Sequence, residues 1–412
     1  MPFTEFFNVK TPSQVYPILE GFRPLGAERI PLEDSLHRIL AEDIVSPTDL
    51  PPFNRSTVDG YALKARDTFG ASESNPALVT VTGEVLMGLS TDLVVSYGQT
   101  VQVPTGGMIP EGADAVLMLE FSEPAGDQTI QVKKPLSPLE NVIEQGEDIK
   151  KGERILSRGH RIRAQDIGAM AALGKSRIKA YRKPRVAIVS SGDEIVDITQ
   201  EPKFGEIRDI NHYSLSAQVE ATGAIPVFVG IARDSFEDLK SLCEEGLDQS
   251  DMLMISGGSS VGALDYTTDA IKSFPHSEIM VHGVSLRPGK PTIIGRSDTK
   301  PIVGLPGHPV SAMVVFDLFL RPLIWRLSGY VGPTWPVEKR VSAVLTRNVP
   351  SPPGREDYIR VRSEEKDGQV LAHPILGKSG AISTMVKANG LIKIDMDSEG
   401  LEEGTPVEVL LF

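Results

Sequence analysis

Hydrophobic and polar positions divide the chain into stretches of different period. From Pro184 onward, short apolar runs alternate with helical patterns. Arg185–Val189, Pro226–Ile231 and Met252–Ser256 read as strands, and Tyr213–Thr222, Ser235–Glu245 and Tyr266–Ser273 as helices. Ser235 followed by Asp238 is a capping pattern for the second of these helices. Strands alternating with helices predict a parallel sheet with crossover helices, whose ligands bind beyond the carboxyl ends of the strands. The most hydrophobic stretch, Val310 to Leu327, contains Asp317, Arg321 and Pro322 and reads as a core helix, not a membrane span.

On either side of this region the pattern changes. Ser13 to Leu40 reads as two helical stretches broken near Pro24 and Pro31. Strands then dominate: Leu78–Val85, Thr100–Val103, Ala115–Leu119 and Thr129–Val132, punctuated by glycine and proline. A basic connector with a helix at Ala164–Leu173 leads to Pro184. After Gly329 only short strands follow, at Arg340–Leu345, Tyr358–Val361, Val370–Pro374, Gly390–Ile394 and Thr405–Leu411, as in a small β-barrel or sandwich. The expected class is multidomain α/β: a central parallel-sheet domain with a β-rich lobe before it and a small β domain after it.

Composition narrows the function. At 412 residues the chain exceeds one ordinary core. A net charge of −13 argues against nucleic acid as the main partner, because a phosphate-backbone binder needs a basic face. The charge is uneven: thirteen acidic residues against three basic ones from Glu42 to Asp127, and twelve basic against two acidic from Lys150 to Arg185. This reads either as two differently solvated surfaces or as an acidic lobe that meets a basic one, within a subunit or across a dimer. The single cysteine, Cys243, excludes a disulfide framework and a cysteine metal site, and its helical setting makes it a small buried apolar residue. With no apolar leader and no membrane-length run, the expected location is cytoplasmic, away from any membrane.

Candidate chemistry gathers at turns. Met252–Ser256 runs into Gly257-Gly258-Ser259-Ser260-Val261-Gly262, with a helix starting near Asp265. Glycines there let the backbone approach a ligand, and the helix N-terminus offers free N–H groups to an oxyanion. The spacing is neither a dinucleotide fingerprint nor a Walker loop. Arg185–Val189 ends in Ser190-Ser191-Gly192-Asp193-Glu194, and Pro226–Ile231 leads to Arg233-Asp234. Three neighbouring strands thus each deliver an acid to one edge: Glu194, Asp234 and Asp265. Any one alone reads as helix capping; together with phosphate-cradling N–H groups they suggest a divalent cation, most naturally Mg²⁺. Arg287-Pro288-Gly289-Lys290-Pro291 is a stiff cationic clamp suited to a phosphate or a tetrahedral oxyanion such as molybdate. Gly304-Leu305-Pro306-Gly307-His308-Pro309 is a shaped loop opening the hydrophobic helix.

In order along the chain, Val58-Asp59-Gly60-Tyr61-Ala62, Thr105-Gly106, Gly146-Glu147-Asp148-Ile149, Ser191-Gly192-Asp193-Glu194, Arg233-Asp234, Ser256–Gly262 with Asp265-Tyr266-Thr267, the Arg287–Pro291 clamp and the Gly304–Pro309 loop resemble the molybdopterin molybdotransferases. This is the MoeA family, to which the C-terminal domain of gephyrin is related. Each motif is weak alone, but eight in order are specific.

The resemblance implies a molybdopterin-binding type of α/β domain at 181–329 and a β-rich lobe at 51–136. It further implies a discontinuous, elongated connector and dimerisation domain from 1–50 with 137–180, and a C-terminal β-barrel at 330–412. It implies a homodimer whose active site is shared, with Asp59, Thr105 and Asp148 completing it in trans. It implies adenylylated molybdopterin and molybdate as substrates, Mg²⁺ as the assisting ion, and molybdenum cofactor and AMP as products. In that frame Ser191, Gly192, Gly257, Gly258, Ser259 and Gly262 cradle the nucleotide phosphate. Asp265, with Glu194 and Asp234, holds Mg²⁺. Arg287 and Lys290 hold oxyanions, while Pro306 and Pro309 shape the wall. An adenylyltransferase is an expected partner. Two departures stand out: the family usually has Asn where this chain has His308, and several relatives carry arginines where this chain has Ile143-Glu144-Gln145.

Two rivals remain at this stage. A molybdopterin adenylyltransferase shares the α/β domain, but the segment Leu264-Asp265-Tyr266-Thr267-Thr268 resembles the insertase form. A non-catalytic, gephyrin-like scaffold is the other, against which the intact acidic set argues. Molybdate and tungstate are not distinguished by sequence.

Overall fold

A computed structural model describes residues 9–257, 263–332 and 340–412, with 263–265 described by their backbone alone. The chain forms two compact units, one of residues 43–157 and 168–176, the other of the remainder.

The remainder begins with helix α1 (Pro12–Glu20), opened by a capping box on Thr11. The second helical stretch expected before Leu40 is not there. Strand β1 (Ala27–Pro31) occupies it and pairs antiparallel with a strand about 150 residues downstream, from Tyr181 back to Arg177. Pro24 and Pro31 restrict the helix from both ends, and a distant partner supplies the ladder that local sequence does not announce.

The unit spanning 43–157 is the β-rich lobe. Its strands are β2 (Gly60–Leu63), β3 (Ala77–Glu84), β4 (Gln99–Val103), β5 (Ala115–Met118), β6 (Ser122–Pro124) and β7 (Thr129–Val132). They form one sheet in the order β5-β2-β4-β3-β7-β6. Leu63, Val79, Leu117, Ile130 and Val132 fill one core, and Ala62, Val101, Val103 and Val116 another on the opposite face. Neighbouring residues of a strand, such as Ala62 and Leu63, thus serve opposite faces, both of them covered.

After helix α2 (Ala164–Ala172) and strand β8 (Arg177–Tyr181), the partner of β1, the α/β region begins. Its elements are β9 (Arg185–Ser191), α3 (Asn211–Ala221), β10 (Ile225–Ala232), α4 (Phe236–Gln249), β11 (Met252–Gly257) and α5 (Ala263–Ser273). They continue with β12 (Ser277–His282), β13 (Ile293–Ser297), β14 (Lys300–Leu305), α6 (Pro309–Val315) and α7 (Arg321–Leu327). The strand order is β10-β9-β11-β14-β13-β12. The first four strands are parallel, as expected. The sheet is nevertheless mixed, because β13 runs antiparallel to β14, and β12 to β13. Those two strands form one antiparallel edge that the alternation of strands and helices did not reveal.

Strand β9 shows why its centre, Val186–Val189, is apolar at every position. Val186 and Ile188 pack under Leu215, Val219 and the α6–α7 segment, while Ala187 and Val189 pack on the other face under Leu239, Cys243 and Ile271. Cys243 is buried, and its thiol is pushed up to about 12 by that burial and by Glu244. Between α6 and α7 the helix passes through one π turn (Phe316–Leu320), just before Pro322, whose ring cannot continue the usual ladder.

The C-terminal strands are β15 (Arg340–Leu345), β16 (Glu356–Lys366), β17 (Gln369–Pro374), β18 (Gly390–Ile394) and β19 (Pro406–Leu411). They run in the order β16-β17-β15-β19-β18, and a β16–β18 pairing closes a five-stranded barrel. Closure removes the free edges. No helix among the described residues is long and apolar enough to cross a membrane.

Candidate functional site

The parallel register carries the carboxyl ends of β10, β9, β11 and β14 to one edge: Ser191 stands opposite both Ala232 and Gly257, and Ser256 opposite Leu305. At Gly257 (φ +124°) a Cβ would lie 2.0 Å from the Ser191 carbonyl oxygen. Only glycine fits, and the reason is strand packing as well as ligand approach. Gly257→Ala is therefore expected to cost at least about 3 kcal/mol and to lower the melting temperature; an unchanged thermal transition would refute the steric reading. The turn residues Gly258, Ser259 and Gly262 lie outside the described residues, as does the side chain of Asp265, whose backbone sits in the first turn of α5.

Glu194 and Asp234 are exposed at this edge. The Glu194 carboxylate folds back over Gly192, where a Cβ would come within 2.7 Å of its Oε2. The backbone N–H of Asp234 donates to Asp193 Oδ1 at 3.2 Å, and the Arg233 guanidinium donates to the Asp193 carbonyl at 3.1 Å. Asp193 thus ties the β9 turn to the β10 turn. Among the described residues no three His, Cys, Asp or Glu side chains form a metal-holding group.

Two residues at this edge were not singled out from sequence. Asp209 is buried, accepting from Ser190 Oγ at 2.6 Å and from the His212 N–H at 3.0 Å. Asn211 is buried too. Its Nδ2 donates to Ser256 Oγ and to the Gly307 carbonyl, both at 2.8 Å, cross-linking the end of β11 to the loop after β14. An Asp-x-Asn directly before a helix is a capping signal, and reading the helix as starting at Tyr213 passed over it.

The clamp and the shaped loop do come together. Arg287, Lys290, Pro306 and His308 line one cavity of about 930 Å³ with residues of the barrel. Leu286 and Arg287 pair in parallel with Glu356 and Asp357 at the start of β16, which brings Arg355 and Arg360 to the same cavity. Lys378 is its fifth cation. Among the described residues no acidic side chain lines it. The wholly buried Asp357 takes 2.8 Å donation from Arg355 and stands 3.7 Å from Arg287. Arg360 donates to the Gly377 carbonyl at 2.8 Å, and burial followed by the charge of Arg287 pulls its guanidinium pKa down. A concave site lined by cations favours a bound anion. Arg355, Arg360 and Lys378 escape a reading of sequence because no motif links them to Arg287. Pro309 is buried at the first turn of α6, where its fixed φ suits the helix start.

In the lobe, the antiparallel pairing of Gly60 with Val103 places Asp59 beside Thr105, whose N–H donates to Asp59 Oδ1 at 2.7 Å. Asp148 lies on a separate exposed turn, its N–H donating to the Leu50 carbonyl at 3.1 Å.

Comparison with known proteins accounts for the whole chain. The MoeA N-terminal region (domain I and II) matches residues 9–174, the probable molybdopterin binding domain 187–326, and the MoeA C-terminal region (domain IV) 342–412. A putative molybdopterin biosynthesis protein of Methanocaldococcus jannaschii is 35% identical over 93% of this chain and 92% of its own length. The molybdopterin molybdenumtransferase of Bacillus subtilis is 33% identical, over 93% of this chain and 89% of its own. A crystal structure of the molybdopterin biosynthesis MoeA protein from Pyrococcus horikoshii superimposes with a TM-score of 0.83 at 38% identity, covering 98% of this chain and 99% of that one. The mixed sheet, the closed barrel and these full-length matches agree: the chain belongs to the MoeA family of molybdenum cofactor biosynthesis, the molybdopterin molybdenumtransferases.

Proposed function

We propose that this enzyme inserts molybdenum from molybdate into adenylylated molybdopterin and releases AMP with Mg²⁺ assistance. The observation that carries the reading is the cavity lined by five cations and, among the described residues, by no acid, walled on one side by the loop that leaves the carboxyl end of β14. It suits a tetrahedral oxyanion beside a sheet edge that suits a phosphate ester.

Arg287, Lys290, Arg355, Arg360 and Lys378 would hold oxyanions, with Pro306 and Pro309 as wall. Ser191, Gly192, Gly257, Gly258, Ser259 and Gly262 would present backbone and hydroxyl donors to the nucleotide phosphate. Asp209 and Asn211 keep this edge in shape. Glu194 and Asp234 are exposed carboxylates at the edge, with no ion-pair partner among the described residues. With Asp265 they make an all-oxygen donor set of the kind Mg²⁺ takes. Bound there, the ion would neutralise charge at the scissile pyrophosphate.

We further propose a cytoplasmic homodimer in which Asp59, Thr105 and Asp148 of one copy complete the site of the other, and the four-part division at 1–50 with 137–180, 51–136, 181–329 and 330–412. Direct transfer of substrate from an adenylyltransferase partner belongs to the same proposal.

The test is AMP release from adenylylated molybdopterin with and without molybdate and Mg²⁺. Release that requires molybdate and yields cofactor is the expected result. Tight binding without turnover under every oxyanion and metal condition would overturn it in favour of a scaffold.

A further inference from the structure

We propose that His308 is an ionisable oxyanion-binding group of the cationic cavity, so that anion affinity strengthens as the imidazole takes up a proton. The inference rests on the oxyanion reading of that cavity.

His308 is the N-cap of α6, where the loop leaving β14 turns into the helix. Its ring is held by the barrel side of the cavity. Nδ1 lies 3.0 Å from Ser379 Oγ, and the Val310 N–H donates to the Ser379 carbonyl at 3.1 Å. Gly380 flanks the other edge, where a Cβ would meet Cδ2 at 3.6 Å. With Nδ1 facing Ser379, Nε2 is the ring nitrogen that remains for a ligand.

Among the described residues, the charged side chains that line the cavity with His308 are of one sign. Arg287 and Lys290 come from the clamp, Arg355 and Arg360 from the start of β16, and Lys378 from the loop that carries Ser379. Tyr358 is the other titratable group lining the cavity; burial pushes its hydroxyl up, and that hydroxyl donates to Glu356 at 3.0 Å. Asp357 is buried behind Arg355 and Arg287. A bound dianion favours a proton on a neighbouring imidazole. By linkage, the filled cavity binds the proton more tightly than the free one, so affinity rises as pH falls through the imidazole range. An asparagine at this position would have no such titration.

Sulfate is the probe, because it stays a dianion throughout the range and undergoes no chemistry here. Its affinity would be measured by calorimetry from about pH 8 to about pH 5.5. For the wild-type protein we expect about tenfold tightening, equivalent to a one-unit difference in proton affinity between filled and free cavity. In His308→Asn the slope should vanish, with His308→Gln as the second variant should the first not fold. An unchanged slope in a folded variant would overturn the proposal. So would pH-independent sulfate binding by the wild type, which would leave the cavity an anion site. Absence of sulfate binding at any pH would remove the oxyanion reading as well.

Discussion

Replacing Asp265 by alanine is expected to cut molybdate-dependent AMP release by about 10²-fold or more without unfolding the protein. The residue lies in the first turn of α5, which follows β11; β9, whose turn carries Glu194, is the neighbour of β11, and β10, which leads to Asp234, is one strand further. Carboxylates on the turns after β10, β9 and β11 would offer a divalent cation an all-oxygen site. A carboxylate in the first turn of a helix contributes only about 0.3–1 kcal/mol to stability. Stability and turnover should therefore separate. The thermal transition should move by a few degrees at most, while the rate collapses and extra Mg²⁺ restores part of it through the two acids that remain. Asp265→Asn, which keeps shape and removes charge, should behave nearly as alanine does. A variant with the parental rate would remove the carboxylate–metal argument altogether.

How far this site could be read in sequence depended on whether a residue's role is local. The runs 186–189 and 252–255 are apolar at every position because both faces of β9 and β11 are covered, so they announced a buried parallel sheet. Its carboxyl edge, and with it Glu194 and Asp234, followed. Ser235 announced α4 because its Oγ accepts from the Asp238 N–H within one turn. By contrast, Ala27–Pro31 is a strand only because Arg177–Tyr181 lies beside it, and no local period records that. Asp209 and Asn211 take their meaning from Ser190, Ser256 and Gly307, which are near in space and far in sequence. The cavity is the clearest case: the clamp was visible as a proline-stiffened pair of cations. Its completion by Arg355, Arg360 and Lys378 depends on the pairing of Leu286–Arg287 with the first residues of a barrel strand.

The second large effect separates a shared site from a self-contained one. Asp59→Ala should be inactive by itself, because Asp59 accepts the Thr105 N–H at the tip of the lobe and the substitution removes both the carboxylate and the partner of that N–H. Asp265→Ala should be inactive for the separate reason given above. If each active site takes its α/β edge from one copy and its lobe from the other, a heterodimer of the two variants has one site with both defects and one with neither. Random exchange of equal amounts puts half of the dimers in that state, each with one of two sites intact, so recovery should approach about a quarter of the parental activity. Catalysis confined to one subunit gives no recovery, since every copy then carries its own defect. Exchange must be demonstrated independently, by mass or by differently tagged copies. With exchange shown, an inactive mixture would overturn the site in trans and leave the cationic cavity, which one copy builds alone, to explain oxyanion binding.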